Sequence, residues 1–173
     1  MTRVYTVGHS TLALEEFLDL LRSNRIERVV DVRRYPGSRR FPHFSREALR
    51  EALSGAGIDY VHAAGLGGRR TEHPDSHNTA WRNGSFRAYA DYMETAEFES
   101  ALQDLKRMAD EMSVVIMCAE ALWWRCHRGL IADRLKSDAI DVVHIGTGGA
   151  NQPHPYTSAA RIVDGRLSYR GEG

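Results

Sequence analysis

Five short apolar runs punctuate the chain: VYTVG (Val4–Gly8), RVVDV (Arg28–Val32), DYVH (Asp59–His62), VVIMC (Val114–Cys118) and DVVHI (Asp141–Ile145). Each is rich in Val, Ile or Tyr and short, as a strand covered on both faces should be. Stretches of helical period lie between them. Strand then helix, repeated, requires crossover connections and predicts an α/β fold with an open, mostly parallel five-stranded sheet flanked by helices. The 173 residues suit one core, since a chain near ~150 residues buries roughly 70% of its unfolded surface.

The helical stretches carry their own punctuation. LALEEFLDLLRSN places Leu14, Phe17, Leu18 and Leu21 on one face, with Ser10 or Thr11 expected as its N-cap. SREALREALSGAG opens on Ser45 and closes on Gly55 or Gly57 in the left-handed conformation. SFRAYADYM and EFESALQDLKRMADEM read as a short and a long helix, with Thr95 capping the second. HRGLIADRLK presents Leu130, Ile131, Arg134 and Leu135 as one buried stripe and its edge. Gly65 to Gly84 forms a long polar loop of the kind that carries function or lacks order. Past Gly146 the pattern changes to irregular chain and then RIVDGRLSY, a hairpin around Asp164-Gly165. Residues 1–146 are thus expected to form a single α/β domain, and 147–173 an irregular C-terminal extension with a hairpin.

The net charge of zero gives no global case for a nucleic-acid or membrane partner. No run approaches the ~20 apolar residues of a membrane span, and no signal-peptide pattern is present. Cys118 and Cys126 are too few and too close in sequence to staple the fold, so a reducing compartment, the cytoplasm, is expected.

In an open parallel sheet, ligands bind outside the carboxyl ends of the strands. The residues at or just past the five strand ends are His9 and Ser10, Asp31 and Arg33, His62, Cys118 and Glu120, and His144. Every strand therefore offers a titratable or hydrogen-bonding group to one rim. The segment DVRRYPGSRRFPHFS adds Arg33, Arg34, Arg39 and Arg40, with Arg46 following and no acid between them. Arginine forks suit phosphate or carboxylate, and Tyr35, Phe41, His43 and Phe44 could stack on a base. A solvated charge run is the plainer alternative. Arg69, Arg70 and Arg82 in the long loop extend the same character.

Three chemistries fit MCAEALWWRCHRGLIADRL, residues 117–135. In the first, Cys118 is a thiolate stabilised by helix amides and by Arg125 or Arg128. A VDVR strand early and a strand ending in cysteine late resemble a rhodanese domain. Against that, AEALWWR has no glycine to wrap an anion, the phosphatase spacing lands on Trp124, and Glu120 opposes an anion. In the second, Cys118, Glu120, Cys126 and His127 hold a metal, although structural zinc prefers closer pairs than these cysteines. In the third, Glu120, half-buried among Trp123, Trp124 and Met117, moves protons; its plain alternative is an ion pair with Arg33 or Arg128.

Taken together, VGHST, VDVRRYPGSRRFPHFS, GIDYVHAAGLGGRR, FRAYADYM, IMCAEALWWRCHRGLIA and VVHI closely resemble the domain of unknown function 488 family, from the first strand to His144. The resemblance implies a compact α/β domain and no settled activity. It also implies that His9, Asp31, Arg33, Cys118, Glu120, Cys126, His127 and Arg128 coincide with the family pattern. The tail beyond Gly146 lies outside it.

The expectation is a Rossmann-like or rhodanese-like enzyme acting on a phosphate-bearing or nucleotide or nucleic-acid substrate. Asp31, Arg33, Arg34, Arg39, Arg40, Arg69, Arg70 and Arg128 would hold that substrate. Cys118 would be the nucleophile, and Glu120, His127 and His9 would move protons. The alternatives are sulfur-transfer or phosphatase-like chemistry at Cys118, and a non-catalytic nucleic-acid-binding or regulatory module. The sequence requires no cofactor, points to no membrane partner, and leaves Cys118, Glu120, Cys126 and His127 as weak metal candidates only.

Overall fold

The computed structural model describes residues 2–171 apart from 38 and 149; Ser38 of the arginine segment and Gly149 of the extension lie outside the described residues. Eight strands and five α-helices follow in the order β1 (Arg3–Gly8), α1 (Leu14–Ser23), β2 (Arg28–Asp31), α2 (Arg46–Gly55), β3 (Asp59–His62), α3 (Gly84–Tyr92), α4 (Ala96–Glu111), β4 (Val114–Cys118), α5 (Arg128–Ser137), β5 (Asp141–His144), β6 (Gln152–Pro153), β7 (Arg161–Val163) and β8 (Arg166–Ser168). The main sheet has the order β3-β2-β4-β1-β5-β6. Its first five strands are parallel, as the alternation predicts. A sixth, β6, adds antiparallel to β5. Two residues are too few to show a period, which is why the sequence conceals that strand.

Registry lines up the strand ends. Gly8 pairs with Cys118, Asp31 with both His62 and Met117, and Thr6 with His144. Alternate residues then face opposite layers. Val4, Val30, Val114, Ile116, Cys118 and Val142 pack against α3, α4 and α5. Val7, Val29, Val115, Met117 and Ile145 pack against α1 and α2. At the end of β1 the backbone passes so close to the segment after β4 that a Cβ on Gly8 would lie 1.8 Å from the Glu120 carbonyl oxygen. Only glycine fits there.

Helix starts follow local chemistry with two corrections, of which Ser45 is the first: it stands at the N-cap position of α2, but its side chain makes no capping hydrogen bond. Thr95 accepts from the Phe98 amide at 3.2 Å, as expected of a cap. Asn83 does the same for α3 through the Phe86 amide. Helix α1, however, is not capped by Ser10 or Thr11. It begins at Leu14, where Glu16 reaches back to accept from the Ala13 amide at 3.1 Å. Gly57 ends α2 with φ +76°. The hairpin turns on Asp164 and Gly165, both with positive φ, the backbone that a two-residue turn between right-twisted strands requires.

Helix α5 carries more than one stripe into the interior. Arg128 through Asp133 and Leu135 are all buried, because the segment after β6 closes over the side away from the sheet. Asp133, fully buried, accepts from His154 Nε2 (2.8 Å), the Thr157 amide (2.9 Å), the Thr157 hydroxyl (2.5 Å) and the Tyr169 hydroxyl (2.7 Å). His154 Nδ1 in turn meets His144 Nε2 at 2.8 Å, and His144 Nδ1 meets the Thr6 hydroxyl. Trp123 stacks flat on His144 with ring centroids 4.7 Å apart. No helix among the described residues is long and apolar enough to cross a membrane.

Candidate functional site

Loops leaving β1, β2 and β4, together with the start of α3, enclose a cavity of about 590 Å³ at the carboxyl end of the sheet. That size suits a small organic ligand. His9, Ser10 and Thr11 line it from β1, and Arg33, Arg34, Tyr35, Gly37 and Phe41 from β2. Gly68 and Arg69 come from the long loop, and Ser85, Phe86 and Tyr89 from α3. The remaining wall is Cys118, Ala119, Glu120, Ala121, Arg125, Cys126 and His127.

Three strand ends meet at this cavity, not five. His62 donates to the Arg33 carbonyl, and His144 points into the buried network with Asp133; neither lines the cavity. Asp31 is fully buried and also off the cavity. It takes Arg33 Nε at 2.9 Å and Nη2 at 2.8 Å, and the Tyr60 hydroxyl at 2.5 Å. The Asp31–Arg33 pair therefore shapes the wall, with Arg33 lining the cavity and Asp31 behind it. Arg33 Nη1 donates to the Phe44 carbonyl at 2.8 Å and approaches His9 Nε2 at 3.4 Å.

The other arginines divide. Arg34 and Arg69 line the cavity and flank the exposed Tyr35 ring, with Arg34 Nη1 donating to the Arg69 carbonyl. Arg39 and Arg40 are exposed and do not line it. Arg70 is structural: it donates to the Gly67 and Ala64 carbonyls and lies 3.6 Å over the Tyr92 ring, which orders the long loop. Arg125, named only as a possible thiolate partner, lines the wall, as do Phe86 and Tyr89, which strand-end reasoning overlooked. The run FRAYADYM carried the only hint of α3's part.

Arg128 is the least expected of the group. It is buried, and among the described residues no carboxylate lies within ion-pair distance of it. Nη1 donates to Cys118 Sγ and to the Glu120 carbonyl, both at 3.2 Å, and Nη2 to the Ala121 carbonyl at 3.1 Å; Nε has no partner. The Glu120 side chain is exposed, so it is neither desolvated among the tryptophans nor paired with Arg33 or Arg128.

Between the two cysteines, local electrostatics favour Cys126. Burial holds the Cys118 thiol well above the ordinary range. Cys126 is pulled down, first by a hydrogen bond from Cys118 and then by the Arg128 guanidinium and amide, against the cost of its burial. The Arg128 amide at the start of α5 donates to Cys126 Sγ at 3.5 Å, so the sulfur sits where a helix cap would. His127 Nε2 lies 2.8 Å from the Val32 carbonyl, which can only accept, so Nε2 carries the proton. Its bare Nδ1 then faces Cys126 Sγ at 3.4 Å. Burial lowers the His127 pKa, which keeps the ring neutral and able to accept a proton. Among the described residues, no three His, Cys, Asp or Glu side chains are grouped as a metal centre needs, so Cys118, Glu120, Cys126 and His127 do not form one.

His9 lines the cavity as a neutral ring stacked on Phe44, its pKa pushed down to about 4 by burial. Burial and the neighbouring His154 push His144 down to about 3. An unfolded histidine titrates near ~6.5. Between that value and the folded ones the unfolded chain binds protons that the native state refuses, so stability present above pH 6.5 is lost on acidification. At roughly 1.4 kcal/mol per unit and group, the two histidines remove roughly 4 kcal/mol between pH 7 and pH 5. Urea midpoints measured at those two values should fall accordingly; equal midpoints would contradict the buried-neutral assignment.

The family model described as "Domain of unknown function DUF488" matches residues 13–135, which span α1 to β4 and most of α5. No curated protein and no solved structure matches the chain.

Proposed function

The chain belongs to the DUF488 family, and from the geometry of its strand-end cavity we propose that it is a cysteine-dependent enzyme acting on an anionic substrate of the phosphate-bearing or nucleotide class. One observation carries this reading: the Cys126 sulfur faces the cavity between a bare imidazole nitrogen and the amide of Arg128, whose buried guanidinium has no carboxylate partner among the described residues. A thiolate at Cys126 supplies the missing negative charge. His127 Nδ1 takes the thiol proton and can return it to a leaving group, with the Val32 carbonyl fixing the tautomer. Arg34, Arg69 and Arg125 ring the opening with positive charge, and Tyr35 and Phe86 offer flat apolar surfaces beside them. The nucleophile is thus Cys126 in place of Cys118. A reducing compartment such as the cytoplasm suits a chain whose two thiols are free.

Alkylation kinetics test both halves of the proposal. Iodoacetamide at pH 7 should modify Cys126 at least about tenfold faster than Cys118, with a titration midpoint below the ordinary ~8.5 of a free thiol. Nucleoside phosphates should slow that reaction, and the double variant Arg34→Ala, Arg69→Ala should abolish the protection. Faster reaction at Cys118, or no protection by any phosphate, would count against the respective half.

A further inference from the structure

Cys118 and Cys126 are the only cysteines in the chain, yet they come from different elements and converge on one wall of the cavity. Arg128 ties them together. Its Nη1 lies 3.2 Å from Cys118 Sγ and its amide nitrogen 3.5 Å from Cys126 Sγ. Cys118 also helps to lower the Cys126 pKa, while its own thiol donates to the Glu120 carbonyl at 3.4 Å. The segment between them is exposed at Ala119, Glu120, Leu122, Trp124 and Arg125, so a small approach of the two sulfurs need not open the core. A small oxidant entering the cavity would meet two sulfurs on the same wall.

We propose that Cys118 and Cys126 form a reversible intramolecular disulfide couple in which Cys126 is oxidised first, by a hydroperoxide, and Cys118 resolves the product. The inference rests on the reactive Cys126 of the proposed function and adds a redox state to the same site; it requires no anionic substrate. In the first step the Cys126 thiolate attacks a peroxide oxygen. An S–O bond forms as the O–O bond breaks, sulfur loses two electrons to the peroxide, and the departing oxygen takes up a proton. Cys126 is then a sulfenic acid. In the second step the Cys118 sulfur attacks the Cys126 sulfur. The S–S bond forms, the S–O bond breaks, and hydroxide leaves with the Cys118 proton as water. With hydrogen peroxide the sum is two thiols and one peroxide giving one disulfide and two waters. A dithiol reductant reverses it by exchange.

The test treats the full chain with equimolar hydrogen peroxide, then reads free-thiol titration, intact mass and a peptide map. Titratable thiols should fall from two to none, the mass should fall by two hydrogens, and a Cys118–Cys126 linked peptide should appear and vanish with a dithiol reductant. In Cys118→Ser, a sulfenic acid should accumulate at Cys126 and be trapped by a cyclic 1,3-dione. In Cys126→Ser, Cys118 should stay reduced over the same interval. A wild-type chain that holds the sulfenic acid at Cys126 without forming the disulfide overturns the couple while leaving the nucleophile of the proposed function intact. Oxidation of Cys118 in Cys126→Ser at the wild-type rate overturns the order of attack. A wild-type chain in which neither thiol reacts overturns the couple and the reactive thiolate together. The wild-type measurements decide these outcomes even if a serine variant fails to fold.

Discussion

Asp133→Ala should lower the free energy of unfolding by about 3–5 kcal/mol, the loss expected when several buried donors are left without their shared acceptor. The carboxylate is fully buried and accepts four hydrogen bonds. Its removal leaves the His154 ring, the Thr157 amide and hydroxyl and the Tyr169 hydroxyl without their acceptor, and each buried orphan carries its own desolvation penalty. The damage also propagates. With Asp133 accepting from His154 Nε2, His154 Nδ1 is free to accept from His144 Nε2, and His144 Nδ1 from the Thr6 hydroxyl, so one carboxylate fixes the proton positions of the whole row. Urea denaturation checks the magnitude, and limited proteolysis checks whether residues after β6 come loose first. A loss under about 1 kcal/mol would show that the row merely fills space.

Arg128→Met separates the arginine's charge from its bulk. Methionine keeps much of the apolar stem, and replacing a buried charge with a volume-matched apolar group is often neutral for stability. The Cys126 thiol, however, loses a cation that holds its pKa down. The thiolate fraction at neutral pH then falls, so alkylation at Cys126 should slow roughly tenfold while the urea midpoint moves far less than in Asp133→Ala. An unchanged alkylation profile would mean that the guanidinium does not stabilise the thiolate. Arg128→Lys should not restore the wild-type rate, because a single ammonium cannot reach the Cys118 sulfur and the Glu120 and Ala121 carbonyls from one planar fork.

The strand ends, the Thr95 cap and the Asp164-Gly165 hairpin were legible because each is set by residues within a few positions of one another. What stayed hidden depends on distant chain. Asp133 reads as an ordinary polar position on an amphipathic helix, and only partners 21 to 36 residues later turn it into a buried hub. The His127 tautomer, which leaves Nδ1 bare toward Cys126, is decided by a carbonyl 95 positions away. Asp31 and Arg33 lie two apart on a strand exit, and nothing local says that they bind each other. Arg70 and Arg69 are adjacent and chemically identical, yet Arg70 knits its own loop while Arg69 lines the cavity. Composition names the side chains but does not aim them.

The near-touch at Gly8 carries one more implication. Where β1 passes the segment after β4, main chain abuts main chain with no room for a methyl group. That seam cannot be retuned by changing a side chain, and a wedge there would displace the very carbonyl that Arg128 grips. Any change in the shape of the cavity must therefore come from positions around its mouth, such as Tyr35, Phe86 and Arg125, while the seam beneath stays as it is.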